Sequence, residues 1–223
     1  VREGLLNTTG MHADRVIAIT NPVTTAEMIR EAQTSVDHPW LGEDFDEPVL
    51  ITVGRLTKNK DHQTLLEAFR FINDTVPSRL LILGEGPERA RLEKIITETD
   101  LADRVQLPGF VDTPWAWMAK SSLFVLSSFA EGSGNVLTEA MAVGTPVVST
   151  DCPSGPSEML DDGRIAPLVP VGDAEALAAA CINVLNSGIA SSLLDEAVAP
   201  FKAEVAAKHY LAFMNVSVPS STD

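Results

Sequence analysis

The chain has little cysteine and little positive charge, and it contains no long apolar run. Two cysteines among 223 residues cannot build a disulfide framework, which suits a reducing compartment, so we expect a cytoplasmic protein. Sixteen Lys and Arg stand against 31 Asp and Glu, and the formal net charge of −15 disfavours nucleic acid as a partner. No apolar run approaches the roughly 20 residues that span a bilayer. An anionic ligand must therefore be met by a local positive site.

The beginning of the chain lacks an initiator Met and a signal-peptide pattern, so we expect a piece of a longer protein. With 45% hydrophobic residues, the chain can bury the core of one domain. Only 14 Gly and 14 Pro exclude a collagen-like or disordered chain.

Short apolar runs alternate with helical patterns, which predicts an α/β fold with a Rossmann-like, doubly wound, mostly parallel six-stranded sheet covered by helices on both faces. The predicted strands are Val16–Thr20, Val49–Gly54, Leu80–Gly84, Val105–Leu107, Leu123–Ser127 and Pro146–Thr150. The predicted helices lie at about 62–76, 87–99, 114–121, 136–143, 155–161 and 173–186. We assign residues 1–187 to this domain and 188–223 to a C-terminal helical segment, which Pro200 kinks or splits and which ends in a frayed tail.

A cluster of positive charge follows the strand that ends at Gly54. Arg55, Lys58 and Lys60 lie close together, just before Asp61, which is placed to cap the next helix. Open α/β sheets bind ligands at the carboxyl ends of their strands, where Arg offers a planar fork and Lys a mobile charge for phosphate oxygens. A solvated basic loop is the alternative, but such a cluster in an acidic chain favours an anion site.

Two carboxylates, Glu131 and Glu139, flank a glycine-rich turn. Because Gly132 and Gly134 break any helix, we expect Glu131 in a loop and Glu139 in the first turn of a helix capped by Asn135. Free amides at that helix start, from about Ser133 to Leu137, suit a phosphate, while the carboxylates accept hydrogen bonds from hydroxyl groups. A nucleotide sugar combines these groups. The alternatives are a Glu139 that only complements the helix dipole and a Glu131 that is only a surface acid.

Two further features carry weaker interpretations. The segment LGEGPER fails as a dinucleotide fingerprint because Arg89 occupies the third glycine position, and Pro87 favours a helix start instead. Cys152 has no Cys or His partner in sequence, so we expect inert packing rather than a zinc ligand or a nucleophile.

Aromatic residues offer candidates for contact with a base. Trp115 and Trp117 either stack on a base or pack in the core, and core packing is the commoner role. Phe110 and Val111 follow a predicted strand end and are better placed to touch a base.

The chain resembles the retaining GT-B glycosyltransferases of family 4 in an ordered series of motifs: GRL-x3-KD, TLLEAF, LILGEGPER, LPGFV, E-x7-E within EGSGNVLTEAMAVGTPVVSTDCPSGPSEML, and LVPVGDAEALAAA. The resemblance covers most of residues 16–187. It implies the donor-binding half of a GT-B enzyme that moves a hexosyl or N-acetylhexosaminyl group from a nucleotide sugar, expected to be a UDP-sugar, to a glycan or lipid-linked acceptor. The acceptor-binding N-terminal domain would lie outside this chain, and any peripheral membrane association would come through it. No cofactor and no metal are implied.

The resemblance also implies a role for each site residue. Arg55 and Lys60 would hold the donor diphosphate, Glu131 would contact the transferred sugar, and these three are the catalytic candidates. Glu139 would contact the ribose. The implied donor-binding residues are Gly54, Phe110, Val111, Gly132, Ser133, Gly134, Asn135, Val136, Leu137 and Glu139. Ser133 departs from the family pattern, because many relatives carry a bulky residue there.

Other function classes remain open at this point. A nucleotide-sugar epimerase with the same fold would alter its substrate without an acceptor. A phosphorylase would need a lysine that carries pyridoxal phosphate, and no segment suggests one. A non-catalytic nucleotide-binding module is the remaining alternative.

Overall fold

The computed structural model describes residues 2–214 and contains a six-stranded sheet in which every pairing is parallel. The spatial order is β3-β2-β1-β4-β5-β6, so it reverses between β1 and β4, where doubly wound folds form their ligand crevice. The strands are β1 (Val49–Val53), β2 (Arg79–Leu83), β3 (Val105–Gly109), β4 (Leu123–Leu126), β5 (Val147–Thr150) and β6 (Leu168–Val169).

The α-helices follow most of the predicted positions. They are α1 (Arg2–Thr9), α2 (Ala26–Glu31), α3 (His62–Thr75), α4 (Arg89–Glu98), α5 (Pro114–Ala119), α6 (Asn135–Ala142), α7 (Pro156–Met159), α8 (Ala174–Ser187), α9 (Ser191–Val198) and α10 (Ala203–Phe213). Short 3-10 turns cover Ala13–Arg15, Pro39–Leu41, Lys58–Lys60 and Ala199–Phe201. The capping of α3 by Asp61 is confirmed, because the Asp61 carboxylate accepts from the Thr64 amide at 3.3 Å.

Successive residues of each strand supply two different cores. Leu50 packs with α3 and α8 on one face of the sheet, and the next residue, Ile51, packs with α6 and α9 on the other. Both side chains are fully buried. Each such side chain contributes about 1.5–3 kcal/mol, so both faces stabilise the sheet. The predicted doubly wound α/β fold is confirmed.

The predicted strand Val16–Thr20 is wrong. This segment is irregular, and Ile17 keeps 48% of its surface exposed. The residues that follow it bond to the far end of the chain instead, since the Val23 and Thr24 amides both donate to the Phe201 carbonyl at 3.0 Å. The sixth strand is Leu168–Val169, which lies beside β5 and which the sequence reading missed.

The C-terminal segment is split at Pro200, as predicted, because the 3-10 turn Ala199–Phe201 separates α9 from α10. Helix α9 packs on α6 and buries Leu194 and Val198 in the second core. The predicted crossing of this segment to another domain stays a prediction, and the predicted frayed tail lies outside the described residues. Within residues 2–214 no single helix is long and apolar enough to cross a membrane. Within the same range, one pair of helices, Ala174–Ser187 and Ser191–Phe201, meets both criteria when taken together, but the pair is bent by 119°.

Candidate functional site

Glycine turns join the carboxyl ends of β1, β2 and β3 through direct backbone contact. The Gly84 amide donates to the Gly109 carbonyl at 2.7 Å, and the Gly54 amide donates to the Leu83 carbonyl at 3.0 Å. A Cβ at Gly84 would lie 1.9 Å from the Gly54 carbonyl oxygen. The glycines of the LGEGPER segment therefore serve close backbone packing, which agrees with its failure as a dinucleotide fingerprint.

Lys60 and Glu131, predicted from segments 71 residues apart, form a direct ion pair. The Lys60 ammonium donates to both Glu131 carboxylate oxygens, at 2.7 and 2.9 Å. The side chains keep only 18% and 8% of their surface exposed, respectively. The Ser128 hydroxyl donates to the same carboxylate, and Gly54 leaves room for the lysine, since a Cβ there would lie 3.3 Å from Lys60 Cε.

Backbone hydrogen bonds pin the two loops that carry this pair. The Phe129 amide donates to the Asn59 carbonyl at 2.8 Å, and the Ser127 hydroxyl donates to the Lys60 carbonyl at 2.9 Å. Arg55, in the same turn, is exposed, and across residues 2–214 its guanidinium takes no part in an ion pair. Of the two predicted site cations, Lys60 is therefore paired with a carboxylate and Arg55 is open to solvent.

The start of α6 differs from the prediction. Asn135 is the first helical residue rather than the cap, because Gly134 takes the capping position with φ of +64°. The Asn135 side-chain oxygen instead accepts from the Ser133 hydroxyl at 2.8 Å and from the Asn21 amide group at 3.3 Å. Sequence reasoning missed Asn21, which is distant in the chain and carries no motif.

The amides at this helix start divide into two groups. The Leu137 amide donates to the Gly134 carbonyl at 2.9 Å, and the Leu137 side chain is fully buried, so its amide is occupied within the helix. The amides of Asn135 and Val136 make no backbone hydrogen bond with any residue in the described range. The group of free donors is therefore smaller than the predicted set from Ser133 to Leu137.

The loop before α7 packs against the glycine-rich turn that precedes α6. A Cβ at Gly155 would lie 2.9 Å from the Ser133 carbonyl oxygen, and the Glu131 amide donates to the Pro153 carbonyl at 3.5 Å. Burial, followed by the nearby Glu131 charge, raises the pKa of the Cys152 thiol. That direction agrees with the expected inert packing of Cys152, because the thiolate is the reactive form.

Glu139 lies just past the first turn of α6, because the helix begins one residue earlier than predicted, and its side chain is half-buried. The Trp115 indole N–H of α5 donates to Glu139 Oε2 at 3.0 Å. Burial raises the pKa of Glu139, and the indole hydrogen bond opposes that shift. Trp115 thus donates a hydrogen bond, a role that neither the base-stacking nor the core-packing interpretation predicted.

Phe110 and Val111, the candidate contacts for a base, follow β3 directly and so lie at the carboxyl edge of the sheet. Phe110 keeps 72% of its surface exposed, whereas Val111 is half-buried and packs against the second core. A cavity of about 700 Å³ lies elsewhere, between α3 and the start of α8, and none of the predicted site residues lines it. The predicted residues therefore lie outside that cavity.

Comparison with known proteins identifies the family. The model of the family described as "Glycosyl transferases group 1" matches residues 47–187, which is more than half of the chain. The lipopolysaccharide core biosynthesis glycosyltransferase LpsE of Rhizobium meliloti is 35% identical over 182 residues, covering 79% of this chain and 52% of that protein. An uncharacterized glycosyltransferase of Methanocaldococcus jannaschii is 37% identical over 116 residues, covering 52% of this chain and 29% of that protein. The chain thus spans about half, or less, of the length of these relatives.

Solved structures agree on the fold. The Anabaena protein HepE, in complex with UDP, superposes with a TM-score of 0.76 at 22% identity, covering 96% of this chain and 61% of that chain. A complex of S. aureus TarM that includes UDP gives a TM-score of 0.76 at 22% identity, covering 96% of this chain and 42% of that chain. The fold is that of one half of a GT-B protein, and the chain belongs to the group 1 glycosyl transferases.

Proposed function

We propose that this chain is the donor-binding half of a retaining glycosyltransferase of family 4. The enzyme would transfer a hexosyl or N-acetylhexosaminyl group from a UDP-sugar to a glycan or lipid-linked acceptor. The observation that carries the proposal is the joined pair of Lys60 and Glu131 on the carboxyl edge of the sheet, whose loops are pinned by hydrogen bonds. UDP in the complexes of HepE and TarM supports the choice of nucleotide.

The positive groups would act on the departing diphosphate. When the bond between the anomeric carbon and the diphosphate oxygen breaks, its electrons leave with the diphosphate. Arg55, Lys60 and the free amides of Asn135 and Val136 would stabilise that growing negative charge. A preorganised donor of this kind is worth about 3–4 kcal/mol of transition-state stabilisation. No metal or cofactor is needed in this scheme, since the chain supplies the positive charge.

The carboxylates would act on hydroxyl groups. Glu131, held by Lys60 and Ser128, would accept a hydrogen bond from the transferred sugar, and Glu139 would accept from the ribose. In a retaining reaction the acceptor oxygen bonds to the anomeric carbon on the face that the nucleotide leaves, and its proton would pass to the departing diphosphate oxygen. The donor must therefore be held rigidly, and the pinned loops suit that requirement.

The acceptor would be bound by a separate N-terminal domain. The chain matches only 52% of the length of LpsE, which leaves room in such a protein for a second domain. The proposed location is the cytoplasm, at the inner face of the cytoplasmic membrane if the acceptor is lipid-linked.

Titration calorimetry with UDP tests donor binding. We expect the chain to bind UDP and Arg55→Ala to weaken binding by about tenfold or more, because an exposed cation on the diphosphate is lost. Lys58→Ala is the matched control from the same turn, and we expect it to change the affinity by no more than about twofold. Equal affinities for the wild-type chain, Arg55→Ala and Glu139→Ala would refute the proposal.

Product analysis tests the reaction class. We expect a protein that contains this chain together with an acceptor-binding domain to join the sugar to an acceptor and release UDP. Release of an altered nucleotide sugar without any acceptor would assign an epimerase instead. Binding without either product would assign a non-catalytic module.

A further inference from the structure

The hydrogen bond between Trp115 and Glu139 has a geometry that suits positioning of the carboxylate. The indole N–H meets only Oε2 of the carboxylate, at 3.0 Å. Within the described part of the chain, Oε1 accepts no hydrogen bond, so it is open to a ligand hydroxyl. One oxygen of Glu139 is thus held while the other is available.

The fold holds Trp115 firmly. Helix α5 starts at Pro114, whose fixed φ suits a first helical position, and Trp115 follows directly. Its ring is half-buried against the second core, and α5 packs on α6, which carries Glu139. An indole fixed in this way can direct a flexible glutamate side chain. A ring packed into the core is also poorly placed to stack on a base.

The surroundings of Glu139 require such a partner. Burial disfavours its ionised form, and among residues 2–214 the Trp115 indole is the group that opposes that effect. A half-buried carboxylate without this N–H would turn toward solvent or lose its charge. Either change would spoil it as an acceptor for a hydroxyl group.

We propose that Trp115 is a positioning residue that aims Glu139 at the ribose hydroxyls of the donor nucleotide. This inference rests on the proposed function, since it assumes that Glu139 contacts the ribose. The segment from Phe110 to Trp115 then serves the nucleotide twice. Phe110 and Val111 would contact the base, and Trp115 would act on the ribose through Glu139.

The affinities for two nucleotides distinguish a positioning role of Trp115 from a merely structural one. UDP carries the ribose hydroxyls, and 2′,3′-dideoxy-UDP lacks both. We expect the wild-type chain to prefer UDP, and Trp115→Phe to reduce that preference by about fivefold or more, because a hydrogen bond to a charged group is lost. Trp117→Phe is the matched control, since the same change two residues away alters a ring that packs on His38, and it should leave the preference unchanged.

An isosteric analogue keeps the test independent of folding. Benzothienylalanine at position 115 preserves the ring volume and lacks the N–H, so it should reduce the preference as Trp115→Phe does. The inference alone would be overturned if the chain with the analogue kept the wild-type preference for UDP. It would also be overturned if Trp115→Phe lost the same affinity for both nucleotides. A wild-type chain that fails to bind UDP, or that binds both nucleotides equally, would overturn the proposed function as well.

Discussion

The two ends of the parallel sheet treat charge in opposite ways. At the amino end, Glu47 pairs with Arg79 at 2.6 Å and with Arg104 at 2.7 Å. The Arg79 guanidinium also lies over the rings of Trp40 and Phe45, at 5.2 and 5.8 Å from their centroids. The hydrogen bond from Arg104 is the main cause that holds the pKa of Glu47 below its ordinary value. These charges are satisfied by one another.

At the carboxyl end the charges are only partly satisfied. Lys60 is paired with Glu131, but Arg55 is exposed and takes no part in an ion pair with residues 2–214. Burial raises the pKa of Glu139, and within the described residues its carboxylate accepts a hydrogen bond from the Trp115 indole alone. The charges at the amino end therefore stabilise one another, whereas the carboxyl end has an exposed cation and a half-buried carboxylate that suit the proposed donor site.

The largest expected effect comes from breaking the turn packing at the carboxyl end. Gly84→Ala places a Cβ 1.9 Å from a backbone oxygen at a φ of +133°, so we expect a loss of about 3 kcal/mol in the free energy of unfolding. Gly172→Ala is the matched control, because its φ is also positive, at +76°, but nothing lies within 4 Å of the added Cβ. Its loss should be about 1 kcal/mol by urea unfolding. Equal losses would show that the contact between turns is unimportant.

A smaller effect should appear in a double-mutant cycle on the carboxyl-end ion pair. Lys60→Met and Glu131→Gln each leave a poorly exposed group without its partner, so we expect a coupling of about 2 kcal/mol between them. The exposed pair Lys94 and Glu98, whose side chains are 72% and 61% exposed, should couple by less than about 0.5 kcal/mol. Strict additivity of the Lys60 and Glu131 variants in urea unfolding would contradict this expectation.

The smallest expected effects are changes in stability with pH, and their signs should differ between the two ends of the sheet. The folded-state pKa of Glu47 is lowered, so its contribution to stability is present at neutral pH and is lost as the pH falls through that pKa. The folded-state pKa of Glu139 is raised, so its contribution is present at low pH and is lost as the pH rises through that pKa.

At pH 7 we therefore expect Glu47→Gln to destabilise the chain by less than about 1 kcal/mol. Glu139→Gln should stabilise it by on the order of 0.5 kcal/mol. Both differences should shrink as the pH is lowered toward 4, measured by urea unfolding at each pH. Two variants that change stability in the same direction at pH 7 would remove the contrast between the ends.

The sequence predicted those parts of the fold that depend on local pattern. The burial of Leu50 and Ile51 on opposite faces follows from a strand that is apolar throughout, and the capping of α3 follows from Asp61 before an amphipathic run. The same local reasoning was wrong for Val16–Thr20, because an apolar run becomes a strand only where a neighbouring strand is free to pair. Strand β6 was missed because two residues carry no periodicity.

The sequence predicted residues of the candidate site, but not all of the hydrogen bonds that these residues make. Lys60 and Glu131, both assigned to the donor site from the sequence, do lie together, whereas the roles assigned to the site residues stay predictions. The bond from Trp115 to Glu139 depends on how α5 packs on α6, which no local pattern contains. Asn135 lost its expected capping role because Gly134 adopts a left-handed conformation that a side chain rarely takes.

The contact between the glycine turns also bears on how such a protein can change over time. Because carbonyl meets amide with no side chain between them, main-chain contacts alone set the relative position of these turns. Exposed side chains around it, such as Phe110, can be exchanged without disturbing that scaffold. A chain built in this way can acquire a new ligand preference by single substitutions while its architecture stays the same.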